Sequence, residues 1–313
     1  MINNLIKYKT LVLILIAANF SCDEYKPSYN ENFLTILGIA QDAGYPHIGC
    51  NKDCCNKNIS DDVEYFVTSI GLSDIENNKH YLFEATPDIT FQIKHLKDGV
   101  ENKKIIDGIF LTHAHIGHYS GLMYLGREAL GAKNVPIYTM PRMKKFLEEN
   151  GPWSQLVSLD NIDLKEINHN ENIILSSDLR VIPISVPHRD EFSETVGYKI
   201  IGKNKSALFI PDIDKWDLWD KSIVDEVKSV DYAFLDATFY SGEEINRSMS
   251  EIPHPFISET INLFKDELLE TKNKIHFIHF NHTNPVLNKN ITLRDSIQKL
   301  GFNFSKFGDR YML

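Results

Sequence analysis

Apolar residues in this chain come in short runs separated by turn-forming residues, and the runs from Phe33 to Ala40, Phe66 to Leu72, Tyr81 to Glu84 and Gly108 to Leu111 read as β-strands. Leu179 to Val186, Val196 to Ile201, Ala207 to Ile210, Tyr232 to Leu235 and Ile275 to Phe280 continue the series. Between them the apolar spacing lengthens to a helical period over Ile89 to Leu96, Gly121 to Leu130, Arg142 to Asn150, Trp216 to Val227, Pro255 to Leu269 and Thr292 to Leu300. Most of these stretches follow a Pro, Ser, Asp or Gly signal. Strands and helices interleave throughout, which predicts an α/β fold. With no internal repeat or low-complexity tract, residues 33–313 read as one continuous domain.

Chemistry collects where the apolar runs stop. Leu111-Thr-His-Ala-His-Ile-Gly-His118 sets three imidazoles directly after one of them. In extended chain, alternate side chains share a face, so His113 and His115 point together and His118 can close on them from the next turn. Imidazole suits zinc and neighbouring transition metals. His188 follows Val181-Ile-Pro-Ile-Ser-Val-Pro187, Asp212 follows Ala207-Leu-Phe-Ile-Pro211, Asp236 follows Tyr232-Ala-Phe-Leu235, and His279 lies near the end of Ile275 to Phe280. Open α/β sheets bind ligands at such strand ends.

Composition narrows the setting. A 313-residue chain with 42% hydrophobic and 24% charged residues can bury a sizeable core, and its net charge of -10 opposes nucleic-acid binding, which rests on Lys and Arg neutralising phosphates. A small-molecule substrate is expected. Lys7 and Lys9 precede the apolar run Leu11 to Ala18 and then Asn19-Phe-Ser-Cys22, which reads as an export signal too short to span a membrane. It resembles a bacterial lipoprotein signal over residues 1–22, although Asn19 stands where an aliphatic residue is usual. That resemblance implies lipidation at Cys22, a tether over 23–32 and a protein anchored to a bacterial membrane, periplasmic or on the outer surface. A plain secretory signal or an uncleaved anchor is the alternative. If Cys22 carries lipid, then Cys50, Cys54 and Cys55 remain, an odd set that suggests a metal or else one disulfide and a free thiol.

The ordered ligands His-x-His-x-x-His, His188, Asp212 and His279 resemble the metallo-β-lactamase superfamily. The resemblance implies a four-layer αββα sandwich holding one or two metal ions. Gly38-Ile-Ala-Gln-Asp-Ala-Gly-Tyr-Pro46, the cysteines after it, Phe234-Leu-Asp-Ala-Thr-Phe239 and Ile278-His-Phe-Asn-His-Thr-Asn-Pro-Val-Leu287 are similar to the pyrroloquinoline quinone biosynthesis protein B family. Val186-Pro-His188, Val196-Gly-Tyr198, Asp236-Ala-Thr238 and His254 resemble the tRNase Z and cyclic-phosphodiesterase branch. By that likeness His113, His115 and His188 hold a first ion, His118 and His279 a second, Asp212 bridges, and Asp236 with His254 protonates a leaving group. Cys50, Cys54 and Cys55 would hold a structural zinc.

Two departures alter these expectations. The superfamily usually reads His-x-His-x-Asp-His, and Gly117 stands at the aspartate, so the second ion is expected to bind weakly or not at all. His282 could partly compensate, but it reads as a loop residue. The related cysteine spacing is Cys-x-Cys-x-x-Cys, whereas here Cys54 and Cys55 are adjacent, which demands local contortion for both to reach one ion; His47 is a conceivable fourth ligand.

Zinc with three protein nitrogens and an open position brings the pKa of bound water towards ~7, which supplies hydroxide at neutral pH. The first expectation is therefore a hydrolase of a small phosphodiester or related ester, with Asp212, Asp236 and His254 as its catalytic side chains. An oxidative enzyme acting on a quinone precursor, holding iron or manganese in place of zinc, is the alternative. A non-catalytic metal-binding module is the third.

Overall fold

The computed structural model describes residues 31–56, 65–98, 104–244, 253–287 and 291–313. The expected signal, the lipidation expected at Cys22 and most of the expected tether fall outside them. No helix among the described residues is long and apolar enough to cross a membrane.

The amino-terminal half builds one sheet from β1 (Phe33–Gly38), β2 (Ser69–Asp74), β3 (Lys79–Phe83), β4 (Gly108–Phe110), β5 (Val135–Thr139) and β6 (Ile162–Glu166). The second sheet follows in β7 (Ile173–Ile174), β8 (Arg180–Ser185), β9 (Val196–Ile201), β10 (Ser206–Ile210), β11 (Tyr232–Asp236), β12 (Ile275–Ile278) and β13 (Asn303–Phe304). The chain then returns, as β14 (Arg310–Met312), to the first sheet. The strand orders are β14-β1-β2-β3-β4-β5-β6 and β13-β12-β11-β10-β9-β8-β7.

Side-chain alternation decides the layers. Leu34, Ile36, Tyr81, Phe83 and Phe110 pack in one core with Tyr198, Ile200, Phe209 and Phe234 of the second sheet. Their strand neighbours Leu37, Leu82 and Ile109 point the other way, onto Ile89, Ile93 and Leu96 of helix Ile89–Leu96 and Met143 and Leu147 of helix Pro141–Glu149. Helices also cover the far side of the second sheet, through Ile223, Val227, Ile257 and Ile297. The result is the αββα sandwich that the sequence resemblance implies. Each large side chain so buried stabilises the fold by ~1.5–3 kcal/mol.

Strand direction then places the chemistry. β1 is antiparallel to β2, β2 to β3, and β3 is parallel to β4, so β1, β3 and β4 end on the same edge of their sheet. In the second sheet β8, β10, β11 and β12 likewise run one way, with β9 reversed between the first two. The segments after these strands carry the candidate ligands.

Three predicted helices differ: Gly121 to Leu130 forms only a 3₁₀ turn, Ser120–Leu125, followed by turns, and two others are interrupted. Trp216 to Val227 divides into a 3₁₀ turn, Trp216–Leu218, and a helix, Ile223–Lys228, capped where Ser222 Oγ accepts from Asp225 N at 3.2 Å. Trp216 and Trp219 are both buried and hydrogen-bonded, to Thr260 and to the Ser185 carbonyl, so they pack inward. Of Pro255 to Leu269 only Ile257–Leu263 forms a helix, and a second one, Leu269–Asn273, begins where the stretch ends. The strands that pattern reading missed, β5, β6, β7, β13 and β14, are edge-side or two to three residues long in most cases, too short or too polar to leave a clear signature.

Candidate metal centre

Seven segments converge on one buried spot. His113 and His115 follow β4, with the chain bending at Ala114 and His115 where an extended stretch was expected, and helix Ile116–Tyr119 begins directly after His115, turning His118 towards a separate point. His188 follows β8 and Asp212 follows β10. The donor atoms of His113, His115, His188 and Asp212 lie within 4.8 Å of one another, and the same holds for Asp42, His118, Asp212 and His279. Asp212 belongs to both groups. Its Oδ2 is 3.3 Å from His113 Nε2, 3.2 Å from His188 Nε2 and 3.8 Å from His118 Nε2.

The outward nitrogen of each imidazole faces a polar partner. His113 Nδ1 meets Thr112 Oγ1 at 2.8 Å, His279 Nδ1 meets Thr238 Oγ1 at 2.9 Å, and His188 Nδ1 lies 3.0 Å from Asp214 Oδ1. Buried Glu84 stands 3.2 Å from His118 Nδ1, and exposed Glu191 3.3 Å from His115 Nε2. Partners of this kind orient imidazoles and make them better ligands. Meanwhile buried His188 Nε2 and Asp212 Oδ1 make no hydrogen bond, which is costly unless a cation satisfies them. The donor set and its orphaned atoms fit one or two divalent ions. Burial opposes ionisation throughout, yet Asp212 outweighs it at His188 and raises that pKa to about 9, while His188 and His254 hold Asp212 well below the ordinary carboxylate range. At His113 burial prevails, aided by His118, and its pKa falls well below the ordinary value.

Asp42 supplies a carboxylate where Gly117 lacks one. Its Oδ1 lies 3.0 Å from His118 Nε2 and 3.3 Å from His279 Nε2, so the second group has a carboxylate after all. Gly117 is what admits it. A Cβ at 117 would sit 2.5 Å from Asp42 Cα and 2.8 Å from its Cγ, closer than atoms approach without displacement. The segment after β1 thus occupies the space that an aspartate at 117 would need. Burial would raise the Asp42 pKa, but His118 and His279 outweigh it and hold the carboxyl ionised. The Gln41-Asp42-Ala43-Gly44 stretch held the only signal, as part of a block valued for likeness and not as ligands.

Beside Asp212, His254 Nδ1 lies 2.8 Å from Asp236 Oδ2 and 3.0 Å from Asp212 Oδ1. Burial disfavours the imidazolium, but Asp236 and Asp212 more than offset this and raise its pKa well above the ordinary value. His113, His115, His118, His188, Asp212, Asp236, His254 and His279 therefore meet here.

The cysteines form a separate group, and His282 joins them. Cys50 Sγ to Cys54 Sγ is 3.8 Å and Cys55 Sγ to Cys54 Sγ is 3.9 Å. Those are edges of a tetrahedron about an ion with arms of ~2.3 Å, the zinc–sulfur length, and not a disulfide. Helix Asp53–Asn56 supplies the contortion that lets adjacent cysteines turn to one point. His282 therefore lies far from the role of replacing an aspartate at 117, and His47 stacks on its ring at 4.1 Å instead of standing as the fourth donor. Burial, with His47 and Lys52 nearby, pushes His282 down to about 4, leaving the neutral form that can ligate. Burial and the adjacent thiols push Cys54 up to about 12, so a cation is what would make a cluster of thiolates tenable here.

Residues 79–280, most of both sheets and all the ligand segments between β3 and His279, match the β-lactamase superfamily domain. The chain belongs to that superfamily. Among its relatives, coenzyme PQQ synthesis protein B of Acinetobacter baumannii is 26% identical over 287 residues, covering 82% of this chain and 91% of that protein. The crystal structure of zinc-bound PqqB from Methylobacterium extorquens is similar with a TM-score of 0.74 at 21% identity, over 90% of this chain and 100% of the other. A diphosphatase from the PhnP family is similar with a TM-score of 0.63 at 23% identity, over 90% and 97% of the two chains. These likenesses establish the metallo-β-lactamase fold.

Proposed function

We propose that this protein is a metal-dependent hydrolase of a small phosphodiester or related ester. The observation that carries the reading is Asp212, which touches the first imidazole group, the second group and His254 at once. Ions bound in the two groups would polarise a phosphoryl or carbonyl oxygen and activate water for attack. Asp212 orients the reacting centre through one carboxylate. His254, held through Nδ1 by Asp236, leaves Nε2 to donate a proton to the departing alkoxide. Glu84, Asp214 and Thr238 fix the ligating imidazoles so that little rearrangement accompanies the reaction.

The test is a panel of small phosphodiesters and carboxylic esters offered to wild type and His113→Ala, with metal content measured in parallel. Turnover that disappears together with the metal in the variant supports the reading. Full activity in a variant that has lost its metal removes it.

A second reading is favoured by the relatives named as coenzyme PQQ synthesis protein B, which match this chain over most of its length. In it the same His and Asp ligands hold a redox-active metal and the substrate is a quinone precursor. Iron in protein purified without added metal, together with oxygen-dependent turnover, would favour it over zinc hydrolysis. We also infer export and lipid anchoring from residues 1–22, tested by mass spectrometry of the membrane fraction for a lipid on Cys22.

A further inference from the structure

Two chain segments zip together beside the second ligand group. Phe280 N donates to the Ile39 carbonyl at 2.7 Å, and Gln41 N donates to the Phe280 carbonyl at 2.9 Å. The first segment carries Asp42 and then Cys50, Cys54 and Cys55, while the second carries His279 and, three residues on, His282. Each segment therefore gives one side chain to the second group and its remaining donors to the cysteine group. His113, His115 and His188 come from neither. The turn at His279 is also one that a residue with a Cβ does not adopt freely: its φ is 67°. Such a conformation costs about 1–2 kcal/mol and persists only where the surroundings impose it.

We infer that Cys50, Cys54, Cys55 and His282, around one divalent cation, form a clamp that positions Asp42 and His279, so that filling this site sets the affinity of the second ligand group and leaves the first unaffected. The ion cross-links the two segments just beyond the point where their backbones pair. Their donors are then pre-organised, and less ordering is needed when the second group takes up its own metal. His282 is a positioning residue in this scheme. The inference rests on the metal-binding part of the reading above and not on hydrolysis.

Cobalt(II) titration of the full chain tests it, because thiolate-to-cobalt charge-transfer absorption reports the cysteine group separately from the ligand-field bands of the nitrogen and oxygen sites. Asp42→Ala identifies the equivalent that belongs to the second group. In His282→Ala, that equivalent should bind roughly 10–100-fold more weakly, the effect expected when supporting groups around a metal site are lost, while the first group's equivalent keeps its affinity. His282→Cys, which restores a fourth donor, should recover most of the loss. Unchanged affinity at the second group overturns the inference, and so does equal weakening at both groups. Cys50→Ser, a near-isosteric change, gives the same reading should His282→Ala not fold. No turnover is measured, so failure of the hydrolase reading leaves these outcomes intact.

Discussion

The two ligand groups share Asp212 and lie side by side, yet they are assembled in different ways. The first takes His113 and His115 from one short stretch and adds His188 and Asp212 from two strand ends. The second takes each of its donors from a different stretch, Asp42, His118, Asp212 and His279. A group with two ligands on one short segment is half-built as soon as that segment takes its shape. A group with one ligand per segment exists only when the whole rim is assembled, and it has more ways to be tuned.

The largest effect should come from breaking the first group. His113→Ala removes a fully buried ligand and should lower kcat/KM by about 10³-fold or more, ~4 kcal/mol of transition-state stabilisation, with metal content falling in step. Next in size is His254→Gln. It should cost about 10²-fold in kcat for esters with alkoxide leaving groups and much less for activated phenolate ones, because only the former need a proton. Equal losses with both substrate types would argue against its role as acid.

The second group can be challenged by moving its carboxylate. Gly117→Asp alone should destabilise the fold by about 1–3 kcal/mol, read as a lower thermal midpoint, since the new Cβ meets Asp42. Combined with Asp42→Gly it should regain both stability and the second metal equivalent. A double variant no better than the single one would mean that the two positions do not exchange.

A smaller effect is expected from pH. In metal-free protein the His188 pKa is raised to about 9, against 6.5 for an ordinary imidazole. A raised folded-state pKa stabilises fully below the unfolded value, and the contribution, up to about 3 kcal/mol, is lost as pH climbs from about 6.5 through about 9. The thermal midpoint of metal-free protein should therefore fall across that window, while metal-loaded protein, with His188 Nε2 already deprotonated, should not follow it. Smallest of all is Glu191→Ala. Its carboxylate is half exposed beside His115, so metal affinity should change only a few-fold.

Much of this was legible in the chain. Short continuous apolar runs marked the central strands, because a strand covered by the other sheet on one face and by helices on the other buries both, and His113, His115, His188, Asp212, Asp236 and His279 all fell at or near their ends. Helix limits were less legible: Ser222 caps a new helix inside a stretch whose apolar spacing looked continuous. The short strands β7 and β13 form because neighbouring strands offer unpaired backbone groups, which no local pattern announces.

The sequence alone determined the α/β class and set the candidate histidines and aspartates at strand ends, while the four-layer sandwich and the first ligand group were what the resemblance of those motifs implied. Only the tertiary structure decided that Asp42 fills the space left by Gly117 and that His282 faces the cysteines. Asp42 lies 75 positions before Gly117 in sequence, and His282 lies 227 positions after Cys55. Steric exclusion and donor geometry act through space, so such partners are specified by where the two sheets bring the chain together and not by any spacing that can be read along it.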